Sequence, residues 1–222
     1  MKKNVVLFGA GSHAHVVIDI IEKQDICNII GLIDSKRNPG EVFDDYMIIG
    51  KQENLVSLSK EYSIDGGIVC IGDNYWRGFV VEFILNLVPE FKFFNAIHPD
   101  CVIGKGVKIG QGNVFMPGVI INPYASVGNH CIINTNSSLE HFCVMEDYSS
   151  LSAGVTTGGY VEIGAYSAVA LGVTLFDRIK IGKHTVIGSG ALVTRDVEDY
   201  VLAYGIPAKT VRSRNRGDKY LK

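Results

Sequence analysis

The sequence predicts two structural parts in series, a small parallel α/β unit and then a parallel β-helix built from hexapeptides. Three observations carry that prediction. An apolar run, Val5-Val6-Leu7-Phe8, meets the glycine loop Gly9-Ala10-Gly11-Ser12-His13-Ala14 and then a helical pattern, Val16 to Glu22. From Ile97 onward the chain keeps a repeat of six. Glycine is in excess, 25 of 222 residues, where about 7% is usual. The expected domains are residues 1–96, the hexads 97–198 and a basic tail 199–222.

In the first part, Ile29 to Ile33 ends at Asp34 and Gly67 to Ile71 ends at Gly72-Asp73-Asn74. Helical stretches near 52–61 and 75–87 separate and follow these runs, the alternation of a parallel sheet with crossover helices. A glycine turn leading into a helix N-terminus offers free N–H groups and a dipole to a diphosphate. The string also satisfies G-x-G-x-x-A, with Asp34 twenty residues past Ala14. A dinucleotide needs a second mononucleotide-binding half, and only about 85 residues follow the loop before the hexads begin. A nucleotide-diphosphate sugar fits better: Gly9, Gly11, Ser12 and His13 toward the pyrophosphate, and Asp34, Gly72, Asp73 and Asn74 toward base or ribose. His15 reads as packing or surface, and Arg77 as either a phosphate contact or a surface arginine.

Written in rows of six from Ile97, the first column is apolar in sixteen of seventeen positions, Thr157 excepted. The fifth column is small or β-branched and takes Cys101, Cys131 and Cys143, with Asn113 the exception. Three hexads close one coil, so residues eighteen apart stack at about 4.8 Å. His141 and Gly159 are such a pair. An imidazole beside an unshielded backbone N–H is minimal equipment for acyl transfer: the ring takes the proton of an incoming amine or hydroxyl, and the N–H steadies the developing oxyanion. The polar string from Asn134 to Glu140 leading to His141 offers groups to orient it, the carboxylate being either Glu140 or a residue of an adjacent subunit. Seven glycines occupy the second column, where tight turns are the expected cause.

These features, together with Gly31-Leu32-Ile33-Asp34, Ile97-His98-Pro99 and Gly205-Ile206-Pro207-Ala208-Lys209, resemble the bacterial hexapeptide sugar acyltransferases that include bacillosamine N-acetyltransferase and the sialic acid O-acetyltransferase-like proteins. The resemblance covers the whole chain. It implies a Rossmann-like nucleotide-sugar-binding domain, a left-handed β-helix, a homotrimer, and acetyl-CoA bound between subunits. It also implies a general base at His141, an active-site amide at Asn134, an acetyl-CoA carbonyl contact at Gly159, and further cofactor contacts at Gly172, Gly190, Pro207 and Lys209. Two positions depart from the family, Phe142 where it has an acidic residue and Ser150 where it has a second histidine.

The expected function is therefore acetyl-CoA-dependent N-acetylation of a nucleotide-linked amino sugar, a 4-amino-4,6-dideoxyhexose, for surface polysaccharide or glycan synthesis. Sugar O-acetylation and a non-catalytic nucleotide-sugar-binding assembly protein are the alternatives. No metal is called for, because the histidines do not recur at spacings that gather three of them. A net charge of −2 gives no global attraction for nucleic acid or an anionic membrane. No apolar run reaches membrane-spanning length, and five cysteines without CxxC spacing suggest reduced thiols. A cytoplasmic protein is expected. From Ala208 the tail carries six basic residues against Asp218; Lys209 is the candidate for the CoA phosphates, and the chain beyond Arg212 is expected to fray.

Overall fold

The structure is a computed structural model, and it describes residues 2–220. Lys222, counted in the basic tail, lies outside them. The first unit runs β1 (Lys3–Phe8), α1 (Ser12–Gln24), β2 (Cys27–Ile33), β3 (Val42–Phe43), β4 (Tyr46–Gly50), α2 (Leu55–Glu61), β5 (Gly66–Val69) and α3 (Asn74–Leu87). Its sheet has the order β3-β4-β2-β1-β5, with β1 parallel to both β2 and β5. The chain thus reverses direction across the sheet at β1, and the glycine loop stands at that switch point, where open α/β sheets bind ligands. The β3–β4 hairpin is the element the sequence reading missed. Its strands are short, and its turn at Asp44 (φ 51°) carries no glycine.

The second unit holds seventeen two-residue strands at six-residue intervals, from β6 (Ala96–Ile97) to β22 (Leu192–Val193). They stack with an offset of eighteen, as in Ile120↔Ser138, and form three parallel sheets, the faces of a left-handed β-helix. First-column side chains such as Phe115, Leu139 and Val169 fill the axis with no exposure. Fifth-column polar groups are buried but paired: Asn113 accepts the Cys131 N–H at 2.7 Å and donates to Gly128 O at 3.0 Å, and Ser137 donates to Ser152 O at 2.7 Å. The last coil shortens from eighteen residues to sixteen, giving Val186↔Leu202.

The glycine columns have a different cause from the one expected. Second-column glycines do not adopt positive φ. A Cβ at Gly164 would stand 2.6 Å from Lys183 N, and one at Gly158 2.6 Å from Asp177 N. They are needed because the next coil lies directly above. From Gly106 to Gly190 the left-handed turn residue is the fourth of its hexad, and it runs up three edges of the prism. One edge carries Tyr124, Phe142, Tyr160 and Arg178, the second His130, Tyr148, Tyr166 and His184, and the third Gly118, Asn136, Gly154, Gly172 and Gly190.

The two units share a core. Ala14, Val17 and Ile21 of α1 pack with Ala96, Val114 and Ile132 of one β-helix face. On the second edge the rings of His130, Tyr148, Tyr166, His184 and Tyr200 stack at centroid distances of 4.7–5.3 Å, and α3 lies against them. A Cβ on Gly78 would meet the Tyr166 ring at 2.7 Å. Arg77 is fully buried here, which corrects both sequence readings of it. All five of its N–H donors are engaged: Nε on His130 O (2.7 Å), Nη1 on Ile71 O and Gly72 O (both 2.9 Å), and Nη2 on Asn74 Oδ1 (2.6 Å) and Tyr148 O (3.0 Å).

The chain beyond the last coil does not fray. Strand β23 (Val201–Gly205) extends one face and pairs antiparallel with β24 (Ala208–Ser213). Buried Arg214 holds Asp218 O at 2.5 Å, and Tyr220 returns to the first unit, because the interdomain cleft offers carbonyls and an aromatic surface to cover. Among the described residues no helix is long and apolar enough to cross a membrane.

Candidate active site

Two clusters of the expected residues form, on different edges of the prism. The first surrounds His141, which is exposed on the Phe142 edge with its ring edge-on to Phe142 and Tyr160 at centroid distances of 5.7 and 5.4 Å. Gly159 lies one coil above it, as the register requires. A Cβ at Gly159 would stand 2.6 Å from His141 Cε1, so glycine is what makes room for the imidazole. The Gly159 N–H, however, is not free. It donates to Asp177 Oδ1 at 2.7 Å, a bond that recurs along the third column, for example from Asn129 N–H to Asp147 at 2.7 Å. The reading of that N–H as an open oxyanion donor is corrected: exposed Asp177 holds it.

Glu140 does not orient His141 either. It accepts from Asn122 Nδ2 at 2.9 Å, one coil below. Phe142, in the family's acidic position, stacks between Tyr124 (5.2 Å) and Tyr160 (5.0 Å), and the Arg178 guanidinium lies 4.5 Å over the Tyr160 ring. Cys143 points into the core, and burial pushes its thiol up, which suits packing rather than nucleophilic attack.

The second cluster lies where α1 meets the β-helix. A cavity of about 470 Å³ is lined by Ser12, His13 and Val16 of α1, by Gly72, by Met116, Ile132, Asn134, Ser150 and Ser152 of the prism, and by Tyr220. Asn134 therefore sits with His13 rather than with His141, because it belongs to the preceding hexad and so to another edge. Its Nδ2 donates to Leu151 O at 2.7 Å. Among the described residues the buried His13 Nε2 has no partner, and burial together with the Arg77 charge lowers its pKa to about 4. His13 is thus a neutral hydrogen-bonding group at neutral pH.

Gly11 caps α1 without a side-chain bond, and nothing lies within 4 Å of where its Cβ would stand. Gly9 turns the chain at φ 102°. Asp34, Asp73 and Asn74 of the expected ligand contacts make bonds within the fold, as does Gly72, which also lines the cavity. Asp34 accepts the Ala10, Lys36 and Arg37 N–H groups at 2.7–2.9 Å and bolts the loop to the end of β2, which lowers its pKa even though partial burial opposes that. Asp73 caps α3 by accepting from Tyr75 and Trp76. Asn74 is buried and donates to Ser150 Oγ and Ser167 O at 3.0 Å, while the Gly72 carbonyl serves Arg77. His15 pairs with Asp44 at 2.6 Å and stacks on Phe43, away from the cavity.

The expected acetyl-CoA contacts divide in the same way. Gly172 (φ 64°) and Gly190 (φ 68°) stand on the glycine edge with nothing within 4 Å of a Cβ, and Gly154 below them is nearly as open. Such an edge exposes bare backbone where any side chain would stand. The β23–β24 turn at Ile206-Pro207 tops it, with Lys209 exposed on β24. Met116, Ile132, Ser152 and Tyr220 escaped the sequence reading. For Met116 and Ser152 the signal was present, since they lie one coil below and one coil above Asn134. Nothing in the sequence places Tyr220 there.

A Rossmann-like unit bonded to a hexapeptide β-helix, with a histidine over a glycine on one edge and an open glycine edge on another, defines the acyltransferase class of left-handed β-helices. Residues 4–84 match the family described as the PglD N-terminal domain. The chain is similar along 95% of its length to perosamine N-acetyltransferase of Caulobacter crescentus, solved as a histidine-to-asparagine variant with CoA and GDP-perosamine. The identity is 30%, the coverage of that chain 97% and the TM-score 0.88. The acetyltransferase domain of PglB from Neisseria gonorrhoeae, in complex with acetyl coenzyme A, is 26% identical over 95% of this chain and all of that one, with a TM-score of 0.85. A stretch of 128 residues, 54% of the chain, is 31% identical to an acyl-[acyl-carrier-protein]–UDP-N-acetylglucosamine O-acyltransferase of Pseudomonas aeruginosa. The chain spans 42% of that relative's length. The chain belongs to the hexapeptide-repeat sugar acyltransferases.

Proposed function

We propose that the protein is an acetyl-CoA-dependent N-acetyltransferase acting on a nucleotide-linked 4-amino-4,6-dideoxyhexose, with residues 1–96 and 97–198 sharing the nucleotide-sugar site. The observation that carries this reading is the division of the site between edges. The cavity at His13 and Asn134 and the glycine edge at Gly154, Gly172 and Gly190 occupy one side of the prism, and His141 stands on another. A substrate held in the cavity meets the His141 of a neighbouring copy, so a homotrimer with three shared interfaces completes the site. GDP-perosamine bound to a relative of nearly equal length supports the substrate class. Val16, Met116 and Ile132 offer an apolar wall to the methyl group of a deoxyhexose, and the serines, Asn134 and His13 offer hydrogen bonds to its hydroxyls.

In this mechanism acetyl-CoA supplies the activated acyl group. The N–H groups at the start of α1 receive the diphosphate. His141 accepts the proton that the sugar amine loses as its nitrogen forms the C–N bond; the C–S bond breaks, and the imidazolium returns that proton to the departing thiolate, so CoA leaves as the thiol. Gly159 keeps the imidazole unobstructed. Asp177 must release the Gly159 N–H before that group can serve the carbonyl oxygen. Both substrates are metabolites of the cytoplasm, which supports action there, and the acetamido sugar produced suits surface-glycan assembly.

The test is CoA release with GDP-perosamine and with dTDP-4-amino-4,6-dideoxyglucose. His141→Ala is expected to lower kcat about 10²- to 10⁴-fold while leaving the oligomer unchanged. A wild-type rate in that variant removes the general-base assignment.

A further inference from the structure

The C-terminal segment is a built part of the cleft. Beyond β24, Arg214 takes the Tyr200 carbonyl through its N–H at 2.6 Å and Asp218 O through its guanidinium at 2.5 Å. Asp218 closes a turn on the Asn215 N–H at 3.0 Å and pairs with Arg212 at 3.6 Å. Gly217 (φ 81°) passes close enough to Tyr75 that a Cβ would lie 3.2 Å from its ring, and the Arg216 guanidinium lies 5.8 Å from the same ring's centroid. These contacts deliver Tyr220 to the cavity shared by His13, Asn134 and Ser150.

There the Tyr220 hydroxyl accepts the Asn74 N–H at 3.2 Å, donates toward Gly72 O at 3.4 Å and contacts Ser150. Tyr220 lines the cavity together with Val16, Met116 and Ile132. Ser150 is small and buried beneath it, so the space above that serine is filled from the C-terminus rather than from the prism. A phenol fastened at three polar groups is more than a cover for apolar surface, because its ring has one position in the cavity.

We propose that Tyr220 is a specificity-determining residue that roofs the sugar pocket and limits the hexoses it admits. The proposal rests on the reading of that cavity as the nucleotide-sugar site. The ring supplies the wall, and the hydroxyl fixes its position between Gly72, Asn74 and Ser150. The role is assigned to the acceptor sugar, because Tyr220 lines the same cavity as Ser12, His13 and Asn134.

The experiment is steady-state kinetics of the full chain with GDP-perosamine and dTDP-4-amino-4,6-dideoxyglucose, alongside Tyr220→Phe and Tyr220→Ala. Tyr220→Phe keeps the wall and loses the fastening. It is expected to raise the sugar KM roughly 3- to 10-fold, the worth of about one hydrogen bond, with kcat and the acetyl-CoA KM within about twofold. Tyr220→Ala is expected to raise the sugar KM further and to narrow the preference between the two sugars; should it fail to fold, the phenylalanine variant still decides. An unchanged sugar KM in Tyr220→Phe, or equal changes in both KM values, overturns the assignment and leaves the proposed function standing. A wild-type chain that releases CoA with neither sugar overturns the proposed function, and the Tyr220 role with it.

Discussion

At the scale of single residues, burial decides what each candidate does. His13 and His130 are both held to a pKa of about 4, chiefly by burial and then by Arg77. Above pH 6.5 they are neutral in both the folded and unfolded chain and cost nothing. Between pH 6.5 and 4 the unfolded chain binds protons that the folded chain refuses, so stability falls with acid, by up to a few kcal/mol for the pair. Urea unfolding at pH 7.5 and pH 5 is expected to show that loss. His130→Asn, which retains a residue tolerant of φ 55°, is expected to remove part of it. Equal acid sensitivity in that variant would assign the loss to other groups. His141, with its exposed ring, and the Asp177–Gly159 pair beside it were half legible in the sequence. The stacking of 141 on 159 follows from counting eighteen. The capture of the Gly159 N–H by Asp177 also follows from counting eighteen, but only once the third column is known to point along the prism.

At the scale of elements, each hexad column answers to its own constraint. The first and fifth columns face the axis and were read correctly from their size pattern. The second column must be small because the next coil lies directly above, whereas the fourth must tolerate a left-handed backbone. These two demands on glycine are separable. Gly164→Ala places a Cβ 2.6 Å from Lys183 N, and it is expected to cost about 3 kcal/mol or more as the coils are forced apart. Gly154→Ala, at φ 71° with its nearest neighbour 4.0 Å away, is expected to cost about 1 kcal/mol from torsion alone. Denaturant midpoints of the two variants check this order, and a reversed ranking would show that torsion dominates. The fourth column explains itself once seen in this way. Tyr, His and Phe occupy it on two edges, where their rings stack and offset the strained torsion, and Asn136 tolerates the left-handed backbone on the third.

At the scale of the whole molecule, the division of the site between edges predicts complementation. His141→Ala and His13→Ala chains, each inactive alone, are expected to regain about a quarter of the wild-type rate when unfolded together and refolded in equal amounts, because one interface in four then unites the two intact halves. Mixtures as inactive as their components would place the whole site within one chain. Arg77 bears on the same scale. It fastens the end of β5 and the start of α3 to two coils of the prism, so its bonds join the two units.

What the sequence determined alone was everything periodic: a parallel α/β unit with a glycine loop, a hexapeptide prism of known register, and the meeting of His141 with Gly159. Local backbone geometry dictates those features, so a repeat of six residues is enough to reveal them. Only the tertiary structure decided that Arg77, Asp34, Asp73 and Asn74 serve the fold, that Asn134 joins His13 instead of His141, and that Tyr220 returns to roof the cleft. Those outcomes depend on which carbonyls and N–H groups the two units leave unpaired where they meet, and no spacing within either unit encodes that.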